Sequence, residues 1–420
     1  MGRAYPDIGD RQGTEPQQAV VVTALGITQI FAWGCSYYLP AVLAKPITAG
    51  TGWPLTWVVG GLSLGLLVAG LASPAVGRAI QDYGGRAVLA ISSILLAAGL
   101  IAVGLSQNIA TYLAGWIVIG FGMGAGLYDP AFATLGRIYQ ERARSSITML
   151  TLFGGFSSTI CWPLSSLLVQ IAGWRCTCLI YAGLQLVMSL PIYLLLLPSV
   201  ASPKAEVNET IAQARPIPVR KKTVFVFGLL AAAITFSAII QSTMSVHLLN
   251  ILQNRGVALT TAVVLGTFVG PSQVSARVVE MIVGRRFHPI WTMVTSTVLV
   301  ACGLGLLSLD LPIIAVALVL HGAGMGIMSI ARGTVPLALF GVPGYAVLMG
   351  RLAAPSLLAQ AISPLVGAVI LEAIGANAVL LALCGVALAN VLLVAILALC
   401  ATRSQSFSVP GTPFPASSNR

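Results

Sequence analysis

Ionisable side chains inside otherwise apolar segments are the residues of this sequence best suited to chemistry. They include two arginines, Arg277 and Arg332, the acids Asp129 and Glu280, and His321. An ionisable group in hydrocarbon is costly, so each is a candidate for function. A guanidinium can hold a carboxylate through two parallel hydrogen bonds. An imidazole titrates near neutral pH and can relay a proton or donate to an anion.

Arg277 and His321 are both expected near the middle of a membrane. Arg277 lies about eight residues from Arg285 at the end of its apolar segment, which is roughly 12 Å of helix. We expect it to contact a solute, and the alternative is a structural pair with Glu280, one helical turn away. His321 lies at a similar depth, and its alternative role is a hydrogen bond to a neighbouring helix. His247, near the end of another segment, is a weaker candidate.

Asp129 and Arg332 each follow a Gly-x-Gly-x-Gly run, where small residues let helices approach closely. They are expected at equivalent depths in two different segments. One hypothesis is a gating salt bridge that is made and broken between states. The other is permanent structural pairing, for example of Asp129 with Arg137 or Arg142.

The first apolar segment is rich in aromatic residues that could contact an organic solute. Trp33 and Tyr37 share a helical face at i, i+4 spacing, and Tyr38 lies one position round from it. Their rings could pack on a solute while the tyrosine hydroxyls form hydrogen bonds. Anchoring at the membrane interface explains the two tyrosines equally well. Gln241, at comparable depth in a later segment, is a further polar candidate.

The composition indicates an integral membrane protein. Of the 420 residues, 57% are hydrophobic and only 8% are charged, far below the roughly 25% usual in soluble domains. The net charge of +11 comes from basic residues in short connectors, without the basic patches or zinc-finger spacing of nucleic-acid-binding proteins. We find no metal cluster, no nucleophile–base arrangement and no phosphate-binding GxxxxGK[ST] loop. Neither an enzyme nor a cofactor is expected.

The apolar runs predict an all-α membrane protein with twelve transmembrane helices in two pseudo-symmetric six-helix halves. A span needs about 20 mainly apolar residues. The predicted parts are a cytoplasmic tail (1–19), the N-terminal half (20–198), a cytoplasmic loop (199–222), the C-terminal half (223–401) and a disordered tail (402–420).

Internal repeats support the division into halves. Gly122-x-Gly-x-Gly126 recurs 200 residues later as Gly322-x-Gly-x-Gly326, and Gly85-Arg86 recurs as Gly284-Arg285 at nearly the same offset. Duplicated halves joined by a polar loop are typical of secondary transporters, which bind their solute between the halves.

The distribution of positive charge predicts orientation. With the N-terminus in the cytoplasm, seventeen of the 22 Lys and Arg residues fall on the cytoplasmic side and three outside. Such asymmetry follows the positive-inside rule. We therefore expect both termini to be cytoplasmic. The protein is expected to be a monomer in the cell inner (plasma) membrane, in contact with lipid.

The segment from Gly77 to Arg86, GRAIQDYGGR, lies between the second and third spans. Glycine permits a tight turn at the membrane face, and Asp82 and Arg86 can bond helix ends and lock one conformation. This segment resembles the loop signature of the major facilitator superfamily. The resemblance implies the major facilitator fold and conformational roles for Gly77, Asp82, Gly85 and Arg86.

A narrower resemblance is to the monocarboxylate transporter and oxalate–formate exchanger branch. It rests on Trp57, Ser73-Pro74, Gly173-Trp174-Arg175 and Gln273-x-x-x-Arg277. In that branch the arginine of the eighth span faces the substrate carboxylate, which implies substrate binding by Arg277 and its neighbour Gln273. Gln273 stands where the branch commonly has an acid, so a proton-linked step at this pair is not implied.

These observations predict a secondary transporter that moves a small organic anion, such as a carboxylate, by alternating access. A coupling proton or an exchanged anion would supply the energy. The alternative is an efflux carrier for apolar or cationic compounds, which requires an uncompensated acid within the membrane. A sensor without transport would usually carry an additional signalling domain.

Overall fold

The computed structural model describes residues 18–199, 221–309 and 313–405, and these are almost entirely helical. The helices are α1 (Gln18–Gly34), α2 (Leu39–Thr51), α3 (Leu55–Tyr83), α4 (Gly85–Gly104), α5 (Ile109–Gly126), α6 (Tyr128–Tyr139), α7 (Ala143–Gly155), α8 (Ser157–Leu184), α9 (Leu190–Leu196), α10 (Lys221–Asn254), α11 (Leu259–Gly266), α12 (Val269–Val283), α13 (Pro289–Ser308), α14 (Ile314–Phe340), α15 (Tyr345–Ala373) and α16 (Ala376–Gln405).

In the part of the chain that the structure describes, ten helical segments are long and apolar enough to cross a membrane. One of them, Ile109–Leu196, has 88 residues, which at 1.5 Å per residue is roughly four times the hydrocarbon thickness. Positive φ values at Gln140 (50°) and Gly173 (78°) break it into three spans. The segments therefore amount to twelve spans, and the predicted fold class is confirmed.

The first span is not one continuous helix. A turn at residues 35–38 separates α1 from α2, which continues to Thr51. Pro40, at the start of α2, has a fixed φ that suits a first helical turn. At the end of this turn, the ring of Tyr38 lies 6.1 Å from that of Trp33.

Both halves contain buried apolar clusters. Leu25, Leu89 and Ile147 are fully buried in one cluster, which also includes Tyr345 and Ala346 of the C-terminal half. Leu304 and Leu318 are fully buried in another cluster, within the C-terminal half. The predicted half boundaries at 198 and 223 flank the segment 200–220, which lies outside the described residues. The predicted tails also lie outside them, except where α1 begins at Gln18 and α16 continues to Gln405.

The two halves meet toward one end of the bundle, which we call the basic face. Arg86, Arg137 and Arg285 lie at or next to helix ends there, and Arg351 lies in the second turn of α15. α3 packs along α15, while α7 packs on α12 and α14. Arg144 of α7 donates a 2.6 Å hydrogen bond to the carbonyl of Gly284 across the boundary. The halves are therefore in contact at the basic face, beside a cavity of about 460 Å³ that residues of both halves line, among them Arg144 and Glu280.

Candidate solute site between the two halves

Asp129 and Arg332 form an ion pair across the boundary between the halves. Arg332 donates from Nε to Oδ1 at 2.8 Å and from Nη2 to Oδ2 at 2.7 Å. Nη2 also lies 2.8 Å from the hydroxyl oxygen of Ser356 on α15. The sequence left open whether Asp129 pairs with Arg332 or with an arginine of its own half. The structure shows the pair with Arg332, between the halves. Arg137 instead donates to the backbone carbonyls of Ile80 and Gln81.

A cavity of about 40 Å³ lies beside this ion pair. It is lined by aromatic side chains of the N-terminal half and by Leu357 and Gln360 of the C-terminal half; the aromatic residues are Trp33, Tyr37 and Tyr128. One water molecule needs about 10–15 Å³ by this measure, so the cavity holds a few waters and is too small for an organic solute. The site is therefore contracted in this conformation.

The break between α5 and α6 brings Tyr128 and Asp129 to the cavity. Pro130 has no N–H to donate to the carbonyl of Gly126, so the helical ladder is interrupted there. Leu127 is extended, with φ −82° and ψ −158°, and α6 starts again at Tyr128. Tyr128 packs its ring 4.9 Å from that of Trp33 and stacks on Phe132.

Arg277 is buried between the halves, and among the described residues its hydrogen bonds go to uncharged oxygens. Its Nε donates to the carbonyl of Gly326 at 3.2 Å, and its Nη1 donates to the carbonyl of Thr151 in the other half at 3.0 Å. Its contact with Gln273 Oε1 is long, at 3.5 Å. Glu280, the alternative partner, instead accepts a 2.6 Å hydrogen bond from Thr292.

Gly155 leaves the room that this guanidinium occupies. A Cβ atom at Gly155 would lie 2.2 Å from Nη1 of Arg277. The carbonyl of Thr151 also accepts a 3.4 Å hydrogen bond from the Tyr128 hydroxyl. Thr151 therefore links Arg277 to the aromatic wall of the cavity.

Comparison with known proteins identifies the family. Residues 24–288 match the family model of the Major Facilitator Superfamily. The chain belongs to this superfamily.

Individual known proteins match this chain over a short region or at low sequence identity. Human monocarboxylate transporter 11 is 31% identical over 140 residues, which cover 33% of this chain and 29% of that protein. The matched region thus spans under a third of that relative's length. The crystal structure of the human organic anion transporter MFSD10 (TETRAN) matches with a TM-score of 0.72 at 16% identity, covering 90% of this chain and all of that one. The crystal structure of the transporter FucP in the outward conformation matches with a TM-score of 0.69 at 13% identity, covering 92% of this chain and 98% of that one. These structures show the same fold.

The loop motif that resembles the superfamily signature lies where the halves touch. Gly77 faces Gly350 and the carbonyl of Ala346 on α15, and Gly85 packs against Thr134. The charge of Asp82 acts on Arg137, whose side chain holds the end of α3. Arg86 is half-buried at the start of α4.

The remaining polar candidates lie apart from the cavity lining. His321 is 4% exposed on α14, and its Nδ1 has no partner among the described residues. His247 joins α10 to α15 through a 2.8 Å hydrogen bond between its Nε2 and the carbonyl of Pro364. Gln241 is half-buried on α10. The structure therefore groups Trp33, Tyr37, Asp129 and Arg332 around the cavity, with Tyr38, Gln273 and Arg277 adjoining it.

Several residues of the site were not predicted from the sequence: Tyr128, Thr151, Gly155, Ser356 and Gln360. Tyr128 had a usable signal, because it precedes an acid and a helix-breaking proline within an apolar run. Thr151 contributes a backbone carbonyl, which every residue type carries. Gly155 is one of 44 glycines.

Proposed function

We propose that this superfamily member moves a small organic anion, of the carboxylate class, across the membrane by alternating access, with Arg277 as the group that binds the anion. The observation that carries the proposal is the surroundings of Arg277. Arg277 as a whole is 5% exposed, and no carboxylate pairs with its guanidinium among the described residues. A buried cation without a counter-charge is costly, so a solute anion would be bound strongly there.

The contacts of Arg277 indicate how binding and movement are connected. Nη1 and Nε bridge Thr151 of one half and Gly326 of the other. A carboxylate that accepts from both nitrogens would displace the weaker carbonyl bonds, because charge-assisted pairs are stronger than neutral ones. The anion would then take over part of the connection between the halves, and the cavity could enlarge around it.

The Asp129–Arg332 pair and the Gly77–Arg86 loop are the proposed conformational elements. Both act at the boundary where the halves are in contact. Opening toward the basic face requires Arg332 to leave Asp129 and α3 to separate from α15. We also propose that three aromatic residues contact the solute: Trp33, Tyr37 and Tyr38. Three further polar residues are proposed to take part in binding it: Gln273, His321 and Gln241.

We propose that the protein lies in the plasma membrane with its basic face toward the cytoplasm, since the connectors at that face carry most of the positive charge. The chain is proposed to act as a monomer. A coupled proton or an exchanged anion is the proposed energy source.

The alternative, efflux of apolar or cationic compounds, is less well supported. A cation carrier requires an acid that is free to bind its solute. Asp129 is the acid that lines the cavity, and Arg332 already neutralises it. The family relatives named for organic anions and monocarboxylates are consistent with the first proposal.

Reconstitution in proteoliposomes tests the proposal. We expect Arg277→Ala and Arg277→Lys to lose uptake of labelled monocarboxylates such as lactate by at least about tenfold, because lysine cannot form the two-pronged bond. Arg286→Ala removes an exposed arginine near the end of the same span and should retain uptake. Unchanged uptake in both Arg277 variants would remove this residue from the site.

A thermal-shift series distinguishes the two functions. Purified protein is heated with organic acids or with amphiphilic cations. Stabilisation by the acids alone, which disappears in Arg277→Ala, supports the anion carrier. Stabilisation by cations alone supports efflux.

A further inference from the structure

Gln29 lies in the middle of α1, does not line the cavity, and is fully buried. Its amide makes two hydrogen bonds in opposite directions. Nε2 donates to the carbonyl of Gly126 at 2.6 Å, and Oε1 accepts from the indole nitrogen of Trp33 at 3.2 Å. Both neighbours belong to structures that shape the cavity.

The first bond satisfies a carbonyl that the sequence leaves without a helical partner. In a continuous helix the carbonyl of Gly126 would accept from the N–H of residue 130, but that residue is Pro130. An unpaired carbonyl in a buried position is costly, and Gly126 is buried. Gln29 supplies the missing donor from another span and so stabilises the break that exposes Tyr128 and Asp129.

The second bond fixes the aromatic wall. The indole of Trp33 is directed by Oε1 of Gln29, and its ring packs against Tyr128 from the other side of the break. One side chain thus connects a ring on α1 to the turn that precedes Asp129. A side-chain amide carries both a donor and an acceptor without a charge, and both are used here.

We propose that Gln29 is a positioning residue, which holds the break before Asp129 and orients Trp33, and so sets the shape of the cavity and the geometry of the Asp129–Arg332 pair. Its effect on solute affinity rests on the transport activity proposed above. Its effect on the break does not.

A proline replacement tests the first bond without any solute. Gln29→Leu should lower the melting temperature of the purified protein by several degrees, whereas Gln170→Leu, on the exposed surface of α8, should not. Pro130→Ala supplies an N–H that can reach the Gly126 carbonyl when the extended Leu127 becomes helical. The double variant should therefore recover most of the loss. A stable Gln29→Leu, or a double variant no more stable than Gln29→Leu, would overturn the proposed bond.

A second set of single and double substitutions tests the hydrogen bond between Gln29 and Trp33. Trp33→Phe keeps a ring but removes the indole donor. We expect it to cost less stability in the Gln29→Leu background than in the native protein, because the two share one hydrogen bond. Equal losses in the two backgrounds would contradict the link.

Uptake separates positioning from a purely structural role. With lactate as the probe, we expect Gln29→Leu to raise KM about fivefold, the equivalent of one lost hydrogen bond. The KM of the double variant should exceed that of Pro130→Ala by the same factor, because the double variant still lacks the hydrogen bond from Trp33. A double variant that recovers both stability and KM would show that Gln29 is structural only. If Arg277 variants take up lactate normally, the carboxylate proposal fails, and the two stability cycles still decide the Gln29 bonds.

Discussion

Asp129 and Arg332 connect the two halves of the protein through paired hydrogen bonds of 2.8 and 2.7 Å. Their side chains are only 13% and 17% exposed. Removing one charge from such a largely buried, hydrogen-bonded pair leaves the other without compensation, which is more damaging than removing both. The relationship therefore makes a specific prediction about combined substitutions.

We expect Asp129→Asn and Arg332→Gln each to destabilise this conformation by about 3 kcal/mol, in the range found for broken buried pairs. The double variant should lose clearly less than the sum of the two, since each single variant already lacks the interaction. Thermal unfolding of the four proteins measures this. Arg351→Gln, on the exposed side of α15, is the control for losing a positive charge. Strictly additive losses would show that the two residues do not interact.

Gly155→Ala is expected to displace the Arg277 guanidinium, because the new Cβ would lie 2.2 Å from Nη1. Uptake of lactate should fall about tenfold, the loss expected when a charge-assisted hydrogen bond of roughly 1.5 kcal/mol is disturbed. Folding should be affected less, since alanine is the better helix former. Gly183→Ala, where a Cβ meets nothing within 4 Å, is the matched control. Normal uptake by Gly155→Ala would indicate that the position of Arg277 is not critical.

The spans and the two halves could be predicted from the sequence because apolar run length and a repeat near 200 residues are local, countable signals. The partner of Asp129 could not. Arg137 and Arg142 are close to Asp129 in the chain, whereas Arg332 is 203 positions away. Sequence gives the depth of each charge in the membrane but not the direction in which its helix face points. Lateral packing determines the pairing.

For Arg277, too, the sequence predicts the depth in the membrane but not the hydrogen-bond partners. Its depth and its spacing from Gln273 were evident from the sequence. Its partners were not, because two of them are backbone carbonyls, of Thr151 and Gly326, which leave no residue-type signature. The turn at residues 35–38 was also missed, since its residues are as apolar and aromatic as a continuous span.

Gly77→Ala is expected to weaken the contact between the halves at the basic face. A Cβ there would lie 2.6 Å from the Ala346 carbonyl and 3.1 Å from the Cα of Gly350, so α3 and α15 would have to move apart. Overpacking of this kind costs about 2 kcal/mol. The melting temperature should fall, and amide hydrogen exchange near Ala346 should become faster. Gly60→Ala is on the same helix with open space around it and should leave both unchanged or slightly improved. Slower exchange in Gly77→Ala would contradict the assigned contact.

His288 lies in the short connector before α13 and should make stability depend on pH. Its Nδ1 accepts a 3.2 Å hydrogen bond from the N–H of Ile290 and so caps the helix. Burial lowers the pKa of His288 below its ordinary value of 6.5, and the positive charge of Arg144 lowers it further. The native ring is therefore neutral at pH 7, as an acceptor must be.

The direction of the effect follows from proton binding. Between the lowered native pKa and the unfolded value near 6.5, the unfolded chain binds more protons than the native one, so stability falls as the pH falls through this interval. Above pH 6.5 the contribution is fully present. Melting temperatures measured from pH 7.5 down to 5 should show this loss in the native protein. His288→Asn keeps a capping acceptor that does not titrate, and its profile should be flatter. Parallel profiles for the two proteins would assign the pH dependence to another group.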